Sequence, residues 1–281
     1  MITPGEEDFI REHAYLPEHI LSYGTAISGL EPFLTDGYLH FFREGGNLVF
    51  IGYPLDRPPD SARMAETLQG LIASRNPGQV AILAPSIPAA YGPPAGKDHY
   101  YSLDVGRLGP PPKVANMIRR ASGAVNITRQ RTIGPEHLGL IRAFYESRQI
   151  DQDTRTIFQR IPAYLEASDT AAVFSARTRD GSLAAFDIAD FWANHYAFYM
   201  FNFRSPLHPL PGASDLLFQE IIAEAKSQGK TRINLGLGIN AGVTSFKTKW
   251  GARPFLPHES VLYRRKPPSF LESLFQGIRR E

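Results

Sequence analysis

The 281-residue chain has no cysteine. That absence removes disulfides, thiolate zinc sites, iron–sulfur clusters and cysteine nucleophiles together, and leaves chemistry by oxygen, nitrogen and positioning. Eight histidines are present, none at HExxH or another close ligand spacing, and no carboxylate run imitates a calcium loop, so no metal is expected. No apolar run reaches the roughly 18 residues of a membrane span, and the opening MITPGEEDFIREH lacks the basic-then-apolar order of a signal peptide. The expectation is a soluble, cytoplasmic protein without a tightly bound cofactor.

What is present is ordinary for a folded chain. Hydrophobic residues make up 43% and charged residues 21%, which excludes a disordered chain or a fibre, and the length suits two domains of roughly 140 residues. Charge is unevenly spread. From Gly229 to Glu281 there are ten Lys and Arg against three Asp and Glu, a local +7, which leaves −5 for the rest of a chain whose total is +2. A second basic stretch, Lys113 to Arg131, carries five basic and no acidic residues. The C-terminal part is therefore expected either to meet an anion (a phosphate-bearing cofactor, an RNA backbone or a lipid headgroup) or to be a solvated basic face. In the headgroup case the protein would sit at the membrane periphery.

Periodicity orders the second half. AVNITRQRT (124–132) alternates as a strand, PEHLGLIRAFYESRQI (135–150) is amphipathic, and 153–167 is helical with Pro162 set to divide it. AAVFSARTRDGSLAAFDIADFW and HYAFYMFNF read as three strands in an antiparallel meander, turning first at Arg179-Asp180-Gly181. A Pro/Gly-rich loop then leads into the helix DLLFQEIIAEAKSQG, the strand TRINLGLG, the short helix AGVTSFKTKWG and a last strand HESVLYRR. The first half partly copies this order. Strands are expected at 23–30, 37–43 and 47–53, a helix at 60–75, strands at QVAILAP and HYYSLDVG, and a proline-started helix at PPPKVANMIRRAS. The fold class is thus mixed α/β with an internal duplication, as two units, 1–115 and 116–281, that meet across a hydrophobic interface with a boundary between Leu108 and Ala124.

The element order resembles the Gcn5-related N-acetyltransferase fold. Gly212-Ala213-Ser214-Asp215-Leu216-Leu217, Ile233-Asn234-Leu235-Gly236 and Phe246-Lys247-Thr248-Lys249-Trp250-Gly251 look like the tandem members of that superfamily. Those are the Fem-type peptidoglycan aminoacyltransferases and the phosphatidylglycerol lysyltransferase C-terminal domain family. The resemblance implies two tandem acyltransferase-like folds, each a mixed, mostly antiparallel sheet flanked by helices. It further implies transfer of an activated acyl group from aminoacyl-tRNA or acyl-coenzyme A onto an amine or hydroxyl of a lipid or small molecule. A catalytically inactive module of the same fold is the alternative.

The same resemblance assigns candidate residues. Arg204, His208, Gly212, Ala213 and Ser214 form the donor loop, where a glycine turn and a helix N-terminus suit a pyrophosphate, or where Gly212 is a plain turn glycine. Asn234, Leu235 and Gly236 end a strand expected to splay from its neighbour and free its backbone for the donor, or to enter the turn at Gly236-Leu237-Gly238. The usual coenzyme A signature is absent, with His208 near the place of its first residue. Lys247 matches the lysine held to stabilise an oxyanion, and Lys249 is expected to serve binding or solvation. Both would reach outward while Phe246 and Trp250 pack. Asp187 and Tyr199 on the meander are further catalytic candidates, beside His195 and Asn202, which read as strand-end polar residues. Strict alternation would put His195, Tyr199 and Phe201 on one face and Asn202 on the other.

Overall fold

A computed structural model describes residues 2–106, 109–148 and 150–264. Leu108 and residues 265–281, with four of the ten C-terminal basic residues, lie outside the described residues. The first half runs α1 (Pro4–His13), a 3-10 turn (Pro17–His19), α2 (Leu21–Ser28), β1 (Glu31–Thr35), β2 (Tyr38–Phe42), β3 (Leu48–Ile51), α3 (Ser61–Arg75), β4 (Gln79–Ala84) and β5 (Gly96–Asp104). The second begins with α4 (Pro112–Ser122), β6 (Val125–Gln130), α5 (Pro135–Glu146), α6 (Gln152–Gln159), α7 (Ile161–Ala167) and the meander β7 (Ala171–Thr178), β8 (Leu183–Asp190), β9 (Tyr196–Arg204). It closes with α8 (Ala213–Ser227), β10 (Arg232–Leu237), α9 (Ala241–Lys249) and β11 (Arg253–Arg264).

Local chemistry explains most of these elements and two departures from expectation. Asp60 caps α3 by accepting from the amides of Ala62 (2.9 Å) and Arg63 (3.1 Å), worth about 0.5–2 kcal/mol. α1 starts in a capping box, Thr3 with Glu6. Residues 23–30 are not a strand: most of them lie in α2, which packs on α7. The run Tyr23-Gly24-Thr25-Ala26-Ile27 has strand-like composition, but Gly24 lets the Phe41 ring pass where a Cβ would stand 2.0 Å from it, and tertiary packing overrides propensity. The strand that completes the first meander is β1, hidden by Pro32; it lies at the sheet edge, where a missing amide is tolerated.

The strands form one sheet of eleven, in the order β1-β2-β3-β4-β11-β5-β10-β9-β8-β7-β6. This corrects the expectation of two separate units meeting at an interface: hydrogen bonds run through the middle without a break. Apart from β6 at one edge, the order is symmetric about the β11–β5 pair. In each half a meander is followed by a helix and a parallel strand, β3-α3-β4 and β9-α8-β10, while the remaining pairs are antiparallel. The halves then exchange their last strands: β5 leaves β4 to pair with β10, and β11 leaves β10 to pair with β4. A cut at 115/116 falls inside α4 and divides the sequence but not the sheet.

Helices cover both faces. On one, α3 contributes Met64, Leu68 and Leu71, and α4 and α8 contribute Val114, Ile118, Leu217, Phe218 and Ile221. On the other, Ile10 of α1 and Leu140, Ile141, Tyr164 and Leu165 of α5 and α7 are buried. No helix of the described residues is long and apolar enough to cross a membrane.

Candidate functional site

The parallel pair β9–β10 holds for three residues, Arg232 to Asn234 against Tyr196 to Phe198, and then parts while β9 continues to Arg204. β10 also bulges against β5: Asn234 opposes Ser102 and Leu237 opposes Tyr100, so one strand takes three steps where the other takes two. Asn234 builds this bulge. Its Oδ1 accepts from the Gly236 amide (2.7 Å), with Gly236 at φ 72°, and its Nδ2 donates to the Tyr15 carbonyl (2.8 Å). The expected splay is present; the Asn234 and Leu235 side chains themselves are engaged in holding it, Leu235 within the core on the α8 face.

Lys247 is turned to this bulge. Asn240 caps α9 through the Val243 amide (3.0 Å), and from this helix Lys247 Nζ donates to the Leu237 carbonyl and stands 5.5 Å from the Tyr101 ring centroid. The residue is 2% exposed, and burial pulls its ammonium down to about 7, against the opposing pull of Asp98. The outward-reaching lysine is thus corrected for Lys247, which is buried, while Lys249 is half-buried. Lys249 pairs with buried Asp215 (2.8 Å), which also accepts from the Trp250 indole (2.9 Å). The loop before α9 is held by Asp98, which accepts from the Ile239 amide (2.7 Å); Ile239 has φ 58°, strained for a β-branched residue.

Beside the slot lies a polar network. Asp187 is fully buried and accepts from the Tyr199 hydroxyl (3.0 Å) and from the Asn202 amide, whose Nδ2 also lies 3.1 Å from Ser214 Oγ. Strict alternation would forbid this. Ile188 opposes Phe201 while Ala189 opposes Tyr199, so Met200 is an extra residue, and the bulge brings Tyr199 and Asn202 to one face. The Tyr199 ring stacks on Phe246 (5.9 Å) with its hydroxyl bonded to Asp187, so Asp187 fixes the positions of Tyr199 and Asn202.

Desolvation lifts the Asp187 carboxyl to about 8, aided by the charge of Asp215 and opposed by the two hydrogen bonds. The folded chain then keeps a proton that the unfolded chain loses above about pH 4, so this group's contribution to stability falls as pH rises toward 8. Lys247, with a folded value below its unfolded one, changes stability only above about pH 7, in the opposite sense. Between pH 5 and 7 the difference in stability between Asp187→Asn and the parent is expected to grow in favour of the variant, at up to about 1.4 kcal/mol per pH unit. Urea melts at several pH values check this; parallel curves would refute a protonated Asp187.

The donor loop is not arranged as expected. Gly212 caps α8 with φ 87° and is buried against α4, where an added Cβ would lie 2.8 Å from the Met117 carbonyl oxygen. Its smallness serves a helix–helix crossing. Ala213 is buried, and Ser214, half-buried, joins the Asp187 network. His208 and Arg204 are exposed, and His208 lines a shallow concavity of ≈ 560 Å³ with Gly123, Ala124, Thr178, Arg179 and Asp180. His195 lies away from these groups, bonded to Glu12 (2.8 Å). The structure thus brings together Lys247 with the Asn234–Gly236 bulge, and Asp187, Tyr199, Asn202 and Ser214 beside them. Tyr101 and Asp98 were missed because an aromatic and an acid on an alternating strand carry no motif. Among the described residues no group of side chains could hold a metal ion.

No protein-family model matches the chain, and no curated protein sequence matches it. Solved structures do. The C-terminal domain (DUF2156) of a putative lysylphosphatidylglycerol synthetase from Agrobacterium fabrum superposes with a TM-score of 0.54 at 13% identity, over 97% of this chain and 95% of that one. FemX gives 0.56 at 11% identity over 100% and 99%, and a tandem GNAT protein from the clavulanic acid biosynthesis pathway gives 0.56 at 12% over 94% and 94%. With the duplicated β3-α3-β4 and β9-α8-β10 units in one mixed sheet, the chain has the tandem Gcn5-related N-acetyltransferase fold also seen in FemX and in the lysylphosphatidylglycerol synthetase domain.

Proposed function

We propose that the protein is an acyl- or aminoacyltransferase that moves an activated acyl group from aminoacyl-tRNA or acyl-coenzyme A onto an amine or hydroxyl acceptor. The observation that carries this reading is Lys247, a buried amine whose ammonium burial pulls down to about 7, aimed at a strand bulge beside a slot between parting strands. In transfer, the acceptor nitrogen or oxygen attacks the acyl carbon and the bond to the donor's sulfur or ribose oxygen breaks. The acceptor loses a proton, and the leaving group gains one. Lys247 is the catalytic residue, stabilising the oxyanion as it forms; Asp187 and Tyr199 position the slot's wall. Backbone at Asn234, Leu235 and Gly236 lines the donor arm, with Ser214, His208 and Arg204 toward its anionic end. Lys249, Gly212 and Ala213 hold α8 and α9 in place. Residues 1–115 and 116–281 are the two acyltransferase-like units, each lending a strand to the other.

Thermal-shift titration with acetyl-coenzyme A, coenzyme A and charged tRNA tests the donor. One of them at a hundred times its dissociation constant is expected to stabilise the chain by about 2.7 kcal/mol. No shift with any of them would overturn the reading. A shift without transfer to any acceptor would favour an inactive module, which the covered cap glycine at Gly212 also suits.

A further inference from the structure

Gly238, Ile239 and Asn240 are the whole link between the β10 bulge and α9, and the link has to bring Lys247 back onto the carbonyl at which it starts. The path is not one its residues favour. Ile239 holds φ 58°, a left-handed conformation that a β-branched side chain resists, and the residue is 75% exposed, so no burial offsets the strain. What offsets it comes from β5. The Gly238 amide donates to the His99 carbonyl (3.2 Å) and the Ile239 amide to Asp98 Oδ2 (2.7 Å), while Asp98 Oδ1 accepts from the His99 amide (2.7 Å). A carboxylate is a stronger acceptor than a neutral oxygen. The fit is close: a Cβ on Gly238 would stand 2.7 Å from Asp98 Oδ1, 3.2 Å from Thr244 Oγ1 and 3.3 Å from the Tyr101 ring. Thr244 Oγ1 also donates to the Gly238 carbonyl (3.3 Å), tying the link to the first turn of α9.

The same carboxylate bears on the lysine. Lys247 Nζ meets a carbonyl and an aromatic face, neither of which carries a full charge. The charged groups nearby are otherwise engaged. Lys249 of α9 and Asp215 of α8 face each other (2.8 Å), and Glu259 of β11 pairs with Lys97 (2.7 Å). Burial pulls His258 of β11 below its ordinary value, so it is neutral at pH 7, and His99 of β5 is exposed. Asp98 remains as the acid whose charge opposes the effect of burial on the Lys247 ammonium. An amine must keep its proton to stabilise an oxyanion, and a buried one keeps it better beside a negative group.

We infer that Asp98 is the positioning residue of this site, clamping the Gly238–Asn240 link so that Lys247 meets the Leu237 carbonyl and supplying the negative charge that the buried lysine faces. Its part in turnover rests on the transfer reading above; its hold on Lys247 does not. Asp98→Asn keeps an oxygen for the Ile239 amide and removes the charge, whereas Asp98→Ala removes both; the link lies at the surface, so both variants are expected to fold. The probe is the full chain labelled with carbon-13 at the lysine Cε, followed by NMR against pH, with the Lys247 signal identified by its absence from Lys247→Met. In both variants the Lys247 midpoint should fall by about one pH unit, a fall that the other lysine signals do not share. Hydrogen exchange at the Ile239 amide should quicken about tenfold or more in Asp98→Ala and far less in Asp98→Asn. An unmoved Lys247 midpoint, or an Ile239 amide equally protected in Asp98→Ala and the parent, would overturn the assignment. Turnover separates it from the transferase reading. With a donor found, the alkaline limb of kcat should move down with the Lys247 midpoint in Asp98→Asn. A midpoint that moves while the limb does not would keep the hold of Asp98 on Lys247 and remove Lys247 from the chemistry.

Discussion

Lys247→Met should lose turnover by about 100-fold or more with the fold intact, once a donor has been found by titration. Methionine fills the same buried space between Tyr101 and β10 but offers no hydrogen to an oxyanion, and removal of one such donor typically costs that much. Stability should change little, because the lost bond to the Leu237 carbonyl is offset by removal of a desolvated amine. The parent should also show an alkaline limb in kcat near pH 7, where burial places the Lys247 ammonium, and the limb should vanish in the variant. Lys249→Met is the control: it leaves Asp215 with only the Trp250 indole and costs stability while keeping most turnover. Near-normal rates for Lys247→Met would return the chemistry to other groups on β9 and α8.

Gly212→Val should destabilise the chain by about 3–5 kcal/mol, a large effect for one helix-cap residue. Two costs combine. The residue sits at φ 87°, which a β-branched side chain strongly resists, and its Cβ would press within 2.8 Å of the Met117 carbonyl oxygen, backbone that can yield only if α4 moves. The sequence alone suggests a surface loop in which valine would block a ligand and spare the fold. Gly139→Ala, in α5 with nothing within 4 Å of the added methyl, should instead stabilise by about 0.5–1 kcal/mol. Thermal melts of both settle the matter; a Gly212→Val protein as stable as its parent would show α4 to be loosely docked.

The elements were readable where periodicity and punctuation agreed. The meander β7–β9, the helix after Gly212 and the helix before Gly251 follow from alternation, amphipathicity and glycine stops, and each stands within a few residues of its expected place. Reading failed where a non-local neighbour decided. Nothing around Tyr23 announces that Phe41 will pass over Gly24, and nothing in HYAFYMFNF marks Met200 as the extra residue that turns Asn202 toward Asp187. In the candidate site the motif Phe246–Gly251 marks α9, but the inward turn of Lys247 depends on Leu237, ten residues away on another strand.

The exchanged strands also set a timetable for synthesis. β4 and β5 are made early, yet the strand that lies between them is β11, the last of the described strands to be made. Until then the first half holds two strand edges that cannot meet each other, and its sheet is open at the point where it will later be most deeply enclosed. Such long-range closure is slow and exposes pairing edges while it waits, so the nascent chain must be kept from pairing with its neighbours on the polysome. A second chain nearby could supply the missing β11 as well as the chain's own tail can, which makes crowded expression a natural source of intertwined dimers.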